Sequence, residues 1–211
     1  MVAGFFSTGG LGALLEEALA RVSHTYFSPN KECNVYLGEG APDLPSDHPR
    51  NVFLERNNGF ITADRYDQDS VSRRVYQWQP LKRFIADCLG KDELYIYEDP
   101  VSNMIVNVGR PGQQFNWHFD TNEFTITMLL QAADSGGYIE YVPNIRQPGD
   151  ECYPEVQQSN RAWWVTSIAC RTFTASSPRN ILKIEVKRSG MIDCSTKALW
   201  FVNCMNTRDL R

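Results

Sequence analysis

The sequence predicts an α+β chain, with helices first and an antiparallel β-sandwich or barrel after them. Three observations predict it. Apolar residues recur at helical spacing before residue 93, short β-branched and aromatic runs follow from residue 94, and Gly, Pro and Asp clusters separate those runs. At 211 residues the chain is long enough for one domain with a sizeable core.

Leu11, Leu14, Leu15, Leu19 and Val22 predict an amphipathic helix over residues 11–22. A second helix is expected near residues 70–76 and a third over 81–89, where Gly90 supplies the stop. Residues 39–58 are rich in Pro, Asp and Asn and read as loop. These elements make residues 1–93 a mainly helical region packing on the core. Strands are expected over 94–97 and 104–108, and Gly109-Arg110-Pro111-Gly112 then turns the chain. Residues 115–119 follow, then a clear strand over 123–131, rich in β-branched residues. Asp134-Ser135-Gly136-Gly137 makes the next turn, and residues 138–142 the next strand, ended by Pro143-Asn144.

The chain changes character after Gln158. Residues 1–158 hold 12 Lys+Arg against 22 Asp+Glu, and residues 159–211 hold 9 against 3, so an acidic body precedes a basic tail. Trp163-Trp164, Ile181-Leu182 and Leu199-Trp200-Phe201-Val202 are too apolar for a disordered extension, yet they show no sustained period. One strand is expected near residues 181–186.

The mildly acidic balance offers nothing for nucleic acid or a membrane surface, and no apolar run is long enough to span a bilayer. The apolar start lacks a basic leader, and Glu16-Glu17 interrupts it, so no signal peptide is expected. The six cysteines, at 33, 88, 152, 170, 194 and 204, form no CxxC pair and are expected to be reduced thiols of a cytoplasmic protein.

Chemistry concentrates at Asn116-Trp117-His118-Phe119-Asp120. Residues i and i+2 of an extended segment point the same way, so His118 and Asp120 can converge on one ion while Phe119 faces away. An imidazole and a carboxylate, completed by a second histidine, form the facial triad of non-haem Fe(II) oxygenases. A structural histidine beside a carboxylate gives the same short pattern.

The surroundings carry a resemblance. The stretch from Asn107 to Asp120, the strand Glu123-Phe124-Thr125-Ile126-Thr127-Met128-Leu129-Leu130-Gln131 and the hairpin Gly136-Gly137-Tyr138-Ile139-Glu140-Tyr141-Val142-Pro143-Asn144 resemble the Fe(II)/2-oxoglutarate-dependent oxygenases. The closest likeness is to the branch of hydroxylases and halogenases that acts on free amino acids or similar small molecules. The resemblance covers about residues 94–158. It implies a partial double-stranded β-helix of jelly-roll type, with residues 94–158 as its proximal part. It also implies Fe(II) held by His118 and Asp120, 2-oxoglutarate and O₂ as co-substrates, and a small-molecule substrate. Halogenases of that superfamily replace the carboxylate with a small residue, so Asp120 implies hydroxylation. Asn107, Asn116 and Trp117 lie beside the site, with packing the expected role of Trp117. Of Glu140 and Tyr141, which alternate in facing, one is a candidate for the pocket and the other for solvent.

The family also requires a distal histidine and a basic partner for the 2-oxoglutarate carboxylate. His24 and His48 both precede the motif, and no histidine follows residue 120. Asp193, Cys194 and Asp209 are conceivable substitute ligands, and Arg179, Lys183, Lys187 and Arg188 conceivable carboxylate partners, with nothing in the sequence to place them. Resemblance and composition break at the same point. A shifted reading frame or retained intron from about Ser159 accounts for both. Residues 163–170 can be encoded so that another frame reads Val-Gly-Asp-Ile-Asn-Arg-Val, in keeping with the family pattern. On this view half of the β-helix is missing, strand edges lie unpaired, and turnover is slight or absent. Two other readings stay open. One is a non-catalytic β-barrel binding protein in which His118 is structural. The other is a pseudoenzyme whose basic tail binds a partner.

Overall fold

The computed structural model describes residues 5–110, 112, 113, 115, 117–120, 124–131, 139–140, 145, 150–163, 170–171, 183–184 and 198–206. In chain order the elements are α1 (Thr8–Ala20), β1 (Tyr26–Phe27), β2 (Glu32–Cys33), β3 (Leu54–Glu55), β4 (Gly59–Thr62), α2 (Val71–Gln77) and α3 (Gln79–Leu89). They continue with β5 (Tyr95–Ile96), β6 (Met104–Gly109), β7 (Phe124–Gln131), β8 (Ile139–Glu140), α4 (Tyr153–Trp163), β9 (Cys170–Arg171), β10 (Lys183–Ile184) and β11 (Ala198–Asn206). The chain is therefore α+β, with helices ahead of most of the sheet.

Local chemistry sets the helix ends. Ser7 Oγ accepts from Gly10 N and starts α1 three residues before the expected point. Ser70 Oγ accepts from Arg73 N at the start of α2. Glu17 of α1 reinforces that end, its carboxylate accepting from the backbone N–H groups of Val71 (3.0 Å) and Ser72 (2.8 Å) and from the Ser72 hydroxyl. Pro80 sits in the first turn of α3, where its missing N–H costs nothing. Gly90 ends that helix in the left-handed region, φ 62°, which a side chain would disfavour.

One face of the sheet is covered by the helices. Burial alternates along β6, with Met104, Val106 and Val108 inside. They join Ile61 of β4 and Ile126, Met128 and Leu130 of β7 against Leu14, Ala18, Tyr76, Leu81, Ile85 and Leu89 of the helices. The opposite face carries Phe60, Asn107, Thr125, Leu129 and Gln131. Phe60 lies directly across from Asn107, and both Asn107 and Leu129 pair in register with Trp200 of β11. This second face lies beside the candidate site.

Three sequence expectations change. β11 is antiparallel to both β6 and β7 and lies between them, so the edges expected to be open are closed by the basic tail itself. A strand in the middle of a sheet can be apolar on both faces, which is why Leu199-Trp200-Phe201-Val202 shows no alternation. The sheet is also not wholly antiparallel, because β10 runs parallel to β7 and β8 parallel to β9 over two residues each. Residues 117–120 join no ladder, and Trp117 sits in a bend. Among the described residues no helix is long and apolar enough to cross a membrane, and Cys33, Cys88 and Cys152 are in no disulfide.

Candidate metal and ligand site

The segment carrying His118 and Asp120 connects β6 to β7 and is held by packing. Trp117 and Phe119 point into a second core with Val35, Ile145 and Val156, and Phe119 N donates to Val35 O at 2.7 Å. Tyr36 adds its ring to Phe119, centroids 5.2 Å apart, and α4 contributes Val156. Anchoring residues 117 and 119 on one side turns 118 and 120 to the other, as period-2 geometry requires. Trp117 has the packing role expected of it.

On that other side His118 Nε2 stands 3.1 Å from Asp120 Oδ1. The imidazole is 2% exposed and the Asp120 side chain 21%. Asp120 Oδ2 is buried with no hydrogen-bond partner among the described residues. Donors about 2.1 Å from an ion on adjacent octahedral vertices stand about 3.0 Å apart, so the pair has the spacing of two cis ligands. A buried carboxylate oxygen without a partner is costly unless a cation, proton donor or water meets it. The two residues thus fit two positions of a metal site. Among the described residues no group of three His, Cys, Asp or Glu side chains is disposed to hold a metal ion.

Around the pair lies an aromatic and amide-rich lining. The Phe115 ring stacks on His118, centroids 3.9 Å apart and planes 24° apart. Phe115 meets Phe60 edge-to-face at 6.1 Å. The Arg56 guanidinium lies over both rings, 4.6 Å from the Phe60 centroid and 5.0 Å from that of Phe115. Asn58 Nδ2 donates to Asn107 Oδ1 at 3.1 Å, while Asn58 Oδ1 and Gln131 Oε1 are buried without partners among the described residues.

The other sequence candidates fall elsewhere. His24 is exposed in a short 3-10 turn after α1. His48 packs against the Tyr153 ring at 4.5 Å, and its Nδ1 accepts from Arg50 N. Glu140 is on β8 and Lys183 on β10, with side chains outside the described set. Asn116, Tyr141, Arg179, Lys187, Arg188, Asp193, Cys194 and Asp209 lie outside the described residues. Arg56, Asn58 and Phe60 escaped sequence reading altogether. They stand some sixty positions upstream of His118, Arg56 and Asn58 at the end of a stretch read as loop and Phe60 just beyond it, and the pairing of β4 with β6 brings them to the site. No family model matches the chain, and no curated protein matches it.

Proposed function

We propose that the chain is built on the plan of a non-haem Fe(II)/2-oxoglutarate-dependent oxygenase that hydroxylates a free amino acid or similar small molecule. The observation that carries the reading is the convergence of His118 Nε2 and Asp120 Oδ1 at 3.1 Å beside a buried, unpartnered Asp120 Oδ2. Two further features support it. The antiparallel order β6-β11-β7, with helices on one face and the His–Asp pair beside the other, suits the large sheet of a double-stranded β-helix, although the short parallel pairing of β10 with β7 does not. The amide-rich lining suits a small polar ligand.

His118 and Asp120 would hold the iron, which when bound supplies the activation of O₂. The protein's own part is orientation and exclusion of water. Phe115 and Phe119 restrict His118 from two sides, one by stacking on the ring and the other by fixing the neighbouring backbone. The amides of Asn58, Asn107 and Gln131 offer neutral hydrogen-bonding groups that leave the metal's charge uncompensated except by Asp120. With no histidine after residue 120, turnover by this chain is expected to be slight or absent.

Anaerobic titration with Fe(II) and 2-oxoglutarate tests the reading. The weak visible charge-transfer band of the ternary complex is expected for wild type and not for His118→Ala. No band with either protein, in a chain that still binds small carboxylates, would make it a non-catalytic binding protein. Succinate formed in step with amino-acid consumption would overturn the expectation of slight turnover. Reading the coding DNA in the other two frames past residue 158 tests whether a family-like continuation has been displaced.

A further inference from the structure

Among the described residues Arg56 is a cation without a carboxylate counter-ion. Its guanidinium is wedged against Phe60 and Phe115, and its Nε is buried with no hydrogen-bond partner. Among the described residues no carboxylate lies within ion-pair distance of it. Burial lowers its pKa, offset in part by a hydrogen bond and charge interaction with Cys33 and by Tyr26. Arginine keeps its proton under these conditions, so a full positive charge remains partly stripped of water. By contrast, Arg73 is buried yet satisfied. Its Nε donates to Tyr66 O at 2.8 Å and its Nη2 to Ala63 O at 2.7 Å.

The position of Arg56 adds to its charge. Phe115 contacts both Arg56 and His118, so one ring width separates the cation from the His–Asp pair. Among the described residues Asn58 Oδ1 and Gln131 Oε1 are buried without partners on the side of the sheet that carries Phe60 and Asn107. They are acceptors suited to N–H or O–H groups of a ligand. A ligand with an anionic end for Arg56 and donor groups for these oxygens would satisfy all of them together.

We propose that Arg56 is the carboxylate anchor of the pocket beside His118 and Asp120, taking a small ligand that bears one carboxylate and at least one hydrogen-bond donor. The pocket rests on the oxygenase reading for its use, but carboxylate binding itself needs no metal. The carboxylate belongs to either an amino-acid substrate or 2-oxoglutarate, and binding tells them apart.

The test is calorimetric titration of the full chain, with chelator present, using 2-oxoglutarate and each of the common L-amino acids. The best amino acid is titrated again as its methyl ester. Arg56→Gln should weaken the bound carboxylate by about 10–100-fold, the scale of a lost charge-assisted contact, while Arg56→Lys retains part of the affinity. A loss confined to the amino acid assigns the substrate carboxylate, and one confined to 2-oxoglutarate assigns the co-substrate. Co(II) binding, followed separately, should be unaffected by either variant. If the variants fail to fold, arginine-directed modification of wild type, mapped by mass spectrometry, should show Arg56 protected by the same carboxylate. Unchanged affinity in Arg56→Gln, absence of protection, or no carboxylate binding to wild type at millimolar concentration would overturn the proposal. Arg56-dependent binding with no metal binding at His118 and Asp120 would sink the oxygenase reading and leave the anchor standing.

Discussion

Asp120→Asn separates a metal-binding carboxylate from a structural one. Asparagine keeps an oxygen to face His118 Nε2 at the observed 3.1 Å and has nearly the same shape. The second carboxylate oxygen is already buried without a partner, so its replacement by an amide nitrogen breaks no hydrogen bond. The apo-protein should therefore change stability by less than about 1 kcal/mol. The holo-protein should change much more. At a metal concentration 100 times the dissociation constant, binding stabilises the wild-type fold by about 2.7 kcal/mol. Loss of an anionic ligand that weakens binding about 100-fold leaves about 0.4 kcal/mol at the same concentration. For a chain of this length about 1 kcal/mol corresponds to about 2–4 °C in Tm. Wild type should then gain about 5–11 °C on adding metal and the variant about 1–2 °C. The assay is thermal unfolding followed by circular dichroism, with Co(II) as a redox-quiet substitute and Mg(II) as control. Equal Co(II) shifts in the two proteins, or a large loss of apo stability in the variant, would refute the metal assignment and make the pair a structural hydrogen bond.

Glu17→Ala removes three hydrogen bonds from the start of α2, two of them to backbone N–H groups, and should cost about 2–4 kcal/mol in urea unfolding. A loss under about 0.5 kcal/mol would mean that water replaces the carboxylate at no cost. Burial holds the Tyr66 phenol well above its ordinary range, and its hydroxyl is buried without a partner. The unfolded chain then loses this proton first, so stability is retained below about pH 10 and falls as pH rises beyond it. Tyr66→Phe should abolish that fall and raise stability at neutral pH by about 1 kcal/mol, and an unchanged alkaline limb would contradict this. Truncation after Gln158 removes β11 and bares the facing edges of β6 and β7, so the product should aggregate on size-exclusion chromatography. A folded monomer would show the tail to be dispensable.

The segments with strong local signals needed no tertiary context. The apolar spacing near Leu14 and Ile85, Gly90 as a stop, and the β-branched run of 124–131 set α1, α3 and β7, because each rests on contacts within a few residues. The His118–Asp120 pairing was legible for the same reason, since i and i+2 on an extended segment share a side whatever surrounds them. Other features depended on residues far apart. The helix α4 was not foreseen, nor were the short strands β1, β2 and β4, and β3 lies in the stretch that read as loop. The tail appeared aperiodic because β11 lies between two other strands, where neither face alone has to be polar. Arg56 lay in a stretch that read as loop, and long-range contacts with Lys31, Phe60 and Phe115 give it a position. The sequence by itself determined α1, α3, β7 and the pairing of His118 with Asp120. Tertiary structure alone decided what faces that pair, because a pocket is assembled from strands whose register depends on long-range pairing rather than on local preference.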